Sequence, residues 1–134
     1  MTARFGIALD TALHLVAERL AVPDRHALVA PSLLRSQMVS KLYAEVQAGR
    51  MERAEADARL DRMRGLKIRL LGDRVLQRRA WAIADALGWS DTLDAEYIAV
   101  TALQADAFVT LDPHMQKAAA QFVATASLDD LLTG

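Results

Sequence analysis

Residues 91–112 read DTLDAEYIAVTALQADAFVTLD. The spacing predicts a helix over about 92–105, opened by acids, followed at once by a short apolar strand, AFVTL (107–111). The strand stops at Asp112, and Pro113 behind it marks a new helix start, since an acid at the cap with proline next fits the first turn. A helix feeding directly into a buried-looking strand is the repeating unit of an α/β sheet. Asp94 and Asp112 stand at its two junctions, where either helix capping or a shared ligand would suit them.

The same alternation runs outward in both directions. RFGIAL (4–9) is a short apolar run ending at Asp10, and TALHLVAERLA after it has Leu13, Val16, Ala17 and Leu20 at helical spacing. ALVAP (27–31) predicts a second strand. Ser32 is then a suitable cap for a helix from Leu33 to about Ala48, striped by Leu34, Met38, Leu42 and Val46 and stopped by Gly49. MERAEADARLDRMRG (51–65) predicts a charged, largely exposed helix, and KIRLL (67–71) a strand. DRVLQRRAWAIADALG (73–88) predicts a helix capped by Asp73 and closed by Gly88, and FVATA (122–126) a last strand. Together these elements predict one domain over 1–134. Its expected fold class is α/β: a three-layer α/β/α sandwich around a central, mainly parallel sheet of about five strands.

Composition narrows the chemistry. The chain has 134 residues, 53% hydrophobic and 25% charged, and no cysteine. That excludes a disulfide framework, thiolate catalysis and cysteine-ligated metals. No apolar run is long enough for a membrane helix, and Asp10 interrupts what a signal peptide would need, so a cytoplasmic protein without membrane contact is expected. Residues 50–79 carry nine arginines and one lysine against five acids, while the rest of the chain has six basic groups against twelve acids. A basic segment of this kind can serve phosphate contacts or form a solvated helix face with pairs such as Glu55 and Arg59. The histidines lack ligand spacing, Ser32, Ser36 and Ser40 lack a triad partner, and no phosphate-binding glycine motif is present. Trp81 and Trp89 are expected as core or interface aromatics.

Asp10 and Asp112 each follow a predicted strand, so a parallel sheet sets both at the edge where such folds bind ligands. Asp94 joins them only if its helix begins at that edge. Each acid alone reads as a cap or a dipole partner. Three carboxylates converging without a basic partner would repel one another and call for a hard divalent cation, which can activate water against a phosphodiester.

These residues carry a resemblance. IALD (7–10), a proline followed by a helix in APSLLRSQMVSKLY (30–43), DAEYIA (94–99) and VTLD (109–112) occur in the order and spacing of PIN-domain proteins. The chain resembles the VapC-type toxins of bacterial toxin–antitoxin pairs over nearly its whole length. The resemblance implies a Mg²⁺- or Mn²⁺-dependent ribonuclease with Asp10, Asp94 and Asp112 as metal ligands and catalytic acids. It implies a small cognate antitoxin and a homodimer as partners besides RNA. The fourth acidic position of the family is Gln37 here, which offers an amide oxygen without charge. Ala12 and Leu93 also stand where the family often has serine or threonine and tyrosine. Glu45 is no obvious replacement for Gln37, lying eight residues on and roughly 12 Å along the helix. Glu96 should point away from Asp94, whereas Asp91, three residues earlier, can cap its helix or lean toward the site. Arg74, Arg78 and Arg79 are expected to steer RNA. The alternative is a PIN-like protein- or RNA-binding module without catalysis. A receiver domain would need paired acids after the first strand and a lysine after a late one, and neither is present.

Overall fold

The computed structural model describes residues 3–134. Four strands, β1 (Ala3–Ile7), β2 (His26–Pro31), β3 (Arg69–Leu71) and β4 (Ala107–Val109), form one parallel sheet in the order β3-β2-β1-β4. Between and after them lie α1 (Leu9–Ala17), α2 (Leu33–Gln47), α3 (Arg53–Gly65), α4 (Arg74–Leu87), α5 (Leu93–Gln104), α6 (Pro113–Ala119) and α7 (Leu128–Leu132). The connections from β1 to β2 and from β2 to β3 step one way across the sheet. The connection from β3 to β4 steps back past both. Right-handed crossovers then put α1, α2 and α3 on one face and α4 and α5 on the other. The packing agrees: α1, α2 and α3 touch one another, α4 packs on α5, and α5 lies on β1 and β2.

Both faces of the sheet are therefore covered, which is why the strands read as unbroken apolar runs. Ile7, Phe108 and Val109 are sealed, as are Leu15, Leu34 and Met38 on one side and Ile83, Ile98 and Val100 on the other. Each such side chain contributes roughly 1.5–3 kcal/mol of burial. The close seating of α5 depends on Gly6 in β1, since a Cβ there would overlap the Thr101 side chain.

The sheet has four strands where about five were expected. FVATA makes only an isolated bridge, with Phe108 exchanging backbone hydrogen bonds with Ala124 and Ala126 at 2.9 Å each. Phe122 and Val123 instead donate to the Ala119 carbonyl at the end of α6. Ser127 starts α7 with a reciprocal capping box to Asp130. Too little chain is left between these anchors for a ladder. Two junctions also move inward: β1 ends at Ile7 and β4 at Val109. Ser32 precedes α2 in helical rather than extended conformation and makes no side-chain cap, while its N–H donates to the Leu71 carbonyl at 2.8 Å. Asp73 and Gly88 bound α4 as expected, the one accepting from the Leu76 N–H and the other in left-handed conformation. No helix among the described residues is long and apolar enough to cross a membrane.

Candidate functional site

The strand order reverses between β1 and β4, and a parallel sheet opens its binding crevice at the carboxyl ends of the strands flanking such a reversal. Asp10 and Asp112 occupy that position. α5 returns to the start of β4 and so runs against the strands. Its first turn, with Asp94, therefore reaches the same edge.

Asp10 lies in the first turn of α1, with Ala8 rather than Asp10 at the cap. Its carboxylate is fixed by the end of β4. The Thr110 hydroxyl donates to Oδ2 at 2.9 Å, and the Leu111 N–H donates to the same oxygen at 3.2 Å. Thr110 Oγ1 in turn accepts the Asp112 N–H at 3.2 Å. A single hydroxyl thus links the two acidic junctions. The Thr11 hydroxyl stands 3.1 Å from Asp10 Oδ1 and 3.0 Å from the Val109 carbonyl, and its one proton serves one of them at a time. Asp112 does cap α6, accepting the His114 N–H at 3.0 Å with Pro113 beside it. One carboxylate oxygen remains outside that cap.

Asp94 and Asp112 line one cleft of about 210 Å³ together with Asp91, Ser90, Trp89, His114 and Met115. Asp91 is not the cap of α5, which is Thr92; from one residue earlier it accepts the Leu93 N–H at 3.1 Å, and it lines this cleft. Partial burial is the first cause that raises the Asp94 pKa, and the carboxylates of Asp91, Asp112 and Asp10 raise it further. The ion pairs among the described residues all lie on α2, α3 or the turn between them, so none relieves these acids. Glu45 is one of those paired groups, held by Arg50 at 2.8 Å. Burial alone raises Glu96.

Gln37 enters the site through Tyr97. The Tyr97 ring is sealed in the core, and its hydroxyl donates to Gln37 Oε1 at 2.6 Å across a separation of 60 residues. Burial, then the negative charges of Asp94, Glu96 and Asp10, push the phenol well above its ordinary range. It keeps its proton at any working pH and acts as a donor there, which orients the amide oxygen of Gln37 inward.

The donor set suits a hard, oxygen-seeking divalent cation: three carboxylates and an amide oxygen, with no ion-pair partner for the carboxylates among the described residues. The ligands are not gathered into a finished cage. Among the described residues, no three acidic or histidine side chains converge closely enough to hold a metal as they stand. Asp10 is turned toward Thr110 and Leu111 instead.

The arginines fall elsewhere. Arg74 and Arg78 line a separate shallow surface on α4 with Gln77, Trp81 and Ala82, and Arg79 is exposed on the same helix. Trp81 is 72% exposed, so it is not a core residue, while Trp89 is half-buried against the core. Sequence reasoning gave no role to Thr110, Tyr97 or His114. The first two lay within the quoted motifs, but their partners are 100 and 60 residues away.

No family model matches the chain, and no curated protein matches it. Among solved structures, the crystal structure of PAE2754 from Pyrobaculum aerophilum is similar, with a TM-score of 0.71 over 98% of this chain and 93% of that one. The two sequences are 19% identical, a likeness that speaks for a shared fold alone.

Proposed function

We propose that the chain is a PIN-type ribonuclease dependent on Mg²⁺ or Mn²⁺, of the VapC toxin class, with Asp10, Asp94 and Asp112 holding the cation. The observation that carries this reading is the cleft at the carboxyl edge of the sheet that Asp94 and Asp112 line together, with the Asp94 pKa raised first by burial and then by the carboxylates of Asp91, Asp112 and Asp10. A bound divalent ion supplies Lewis acidity and a water acidified toward neutral pH. Thr110 holds the Asp10 carboxylate in place, and Tyr97 does the same for the Gln37 amide. The exposed cations Arg74, Arg78 and Arg79, with Trp81 among them, suit the backbone and bases of a single-stranded RNA. A small antitoxin, a second copy of the chain and a cytoplasmic location belong to the same reading. Exposed Val39 and Tyr43 on α2 offer apolar surface to such partners.

A second reading is favoured by one observation. Gln37 brings no charge, and the acids are not gathered into a cage. A PIN-like binding module that has lost catalysis would look the same. Incubating the chain with RNA and Mn²⁺ separates the two. Cleavage that EDTA abolishes, and that Asp94→Asn lowers at least about a hundredfold, supports the nuclease; that loss is roughly 2.7 kcal/mol of transition-state stabilisation. No cleavage at any metal concentration, restored by Gln37→Glu, marks a disabled enzyme.

A further inference from the structure

At the opposite end of the sheet from the acids, where β2 begins, lies a concavity of about 750 Å³. That volume is within the range of small-molecule sites. The end of α1, residues 20–24, the start of β2 and the end of α3 form its walls. Leu15, Val16 and Leu28 make a buried apolar floor, with Leu20, Val22 and Leu66 partly buried around it. Arg19, Arg62 and Lys67 stand in the wall against the single acid Asp24.

Two of those cations sit where the backbone does not favour them. Helices α2 and α4 are followed by left-handed residues that are glycines, Gly49 at φ 76° and Gly88 at φ 68°. Helices α1 and α3 end the same way, but the left-handed residues are Arg19 at φ 53° and Lys67 at φ 54°. They are the only non-glycine residues with positive φ among the described residues, and both border this one cavity. A side chain with a Cβ is strained in that conformation, and such strain collects at functional sites. The helix dipole favours a cation near each C-terminus but gives no reason to place it at the left-handed residue. Neither Arg19 nor Lys67 has an ion-pair partner among the described residues. Arg62 is already engaged, its Nη1 donating to the Val16 carbonyl at 2.6 Å and lying 3.5 Å from Glu55 Oε2, so it braces the junction and leaves Arg19 and Lys67 as the unpaired cations of the wall among the described residues.

We propose that this cavity is a second ligand site, taking a small organic anion whose carboxylate or phosphate meets Arg19 and Lys67 while its apolar body lies on Leu20, Val22 and Leu66. It is independent of the acidic edge and of any nuclease activity there. The test is an amide NMR titration of the full chain with decanoate, decyl phosphate and uncharged decanol, beside the double variant Arg19→Gly, Lys67→Gly. The expected shifts cluster at residues 15–28 and 62–67, with one or both anions binding at least tenfold tighter than decanol. The double variant should melt at the same temperature or higher, since glycine relieves both φ angles, and should bind the anion at least tenfold more weakly. Asp94→Asn should bind it unchanged. Equal binding of decanol, unchanged anion affinity in the double variant, shifts centred elsewhere, or no shifts at millimolar ligand would overturn the proposal.

Discussion

Replacing Tyr97 by phenylalanine removes one oxygen and leaves the buried ring in place. The hydroxyl donates a single bond, 2.6 Å to Gln37 Oε1. A neutral hydrogen bond of this kind contributes a net of about 0.5–1.5 kcal/mol. Gln37 is only half-buried, so water can take up its freed oxygen and the loss should lie near the lower end of that range. For a domain of this size, about 1 kcal/mol moves the melting temperature by roughly 3–5 °C. The informative form is a double-mutant cycle with Gln37→Glu. A glutamate at 37 would receive the same phenol as a charge-assisted bond, worth about 1.5–3 kcal/mol. Urea unfolding of the four proteins should give a coupling near 1 kcal/mol between positions 37 and 97. Coupling below about 0.3 kcal/mol would refute the inference that Tyr97 sets the geometry of residue 37.

Three further perturbations address the site and its support. The raised pKa of Asp94 means that the folded state binds its proton more tightly than the unfolded chain. Metal-free stability should therefore fall as pH rises from the ordinary aspartate value of about 3.9 through the raised folded value, and stay lower above it. Asp94→Asn should lack that fall, melting higher than the parent at pH 7 and converging with it near pH 3; thermal scans across that range check it. Thr110→Val keeps the shape of the side chain but removes the tie between Asp10 and the Asp112 N–H. It should lower stability by about 1–3 kcal/mol in denaturant titrations and weaken Mn²⁺ binding as well. Gly6→Ala forces a methyl into Thr101 and should cost about 1–3 kcal/mol by overpacking, with Thr101→Ala in the same chain recovering part of it.

The acidic edge was legible because strand and acid adjoin in the sequence: IALD and VTLD place Asp10 and Asp112 at strand ends whatever the loops do. The position of Asp94 was not, since it depends on the direction of α5, which only the parallel crossover fixes. Strand ends were misplaced where apolar chain continues past them. Ala8 and Leu9 read as strand, but the one caps α1 and the other starts it. Thr110 and Leu111 leave the ladder to bind Asp10. FVATA has strand composition, yet its pairing is limited by the end of α6 and the cap of α7, which composition does not encode. Arg19 lay inside an expected helix because arginine is a good helix former. Its left-handed conformation closes the helix by a local backbone bond, the Leu20 N–H donating to the Leu15 carbonyl at 3.0 Å, with no glycine in the sequence to signal it. The Tyr97–Gln37 bond joins segments with no local signal in common.

The central claim is that Asp10, Asp94 and Asp112 together hold a divalent cation, and Mn²⁺ binding tests it without reference to any RNA. Isothermal titration of the metal-free chain should show one site per chain, lost or weakened at least tenfold in Asp10→Asn, Asp94→Asn and Asp112→Asn alike and strengthened in Gln37→Glu. Binding that survives unchanged in Asp94→Asn, or no binding at millimolar Mn²⁺, would contradict it.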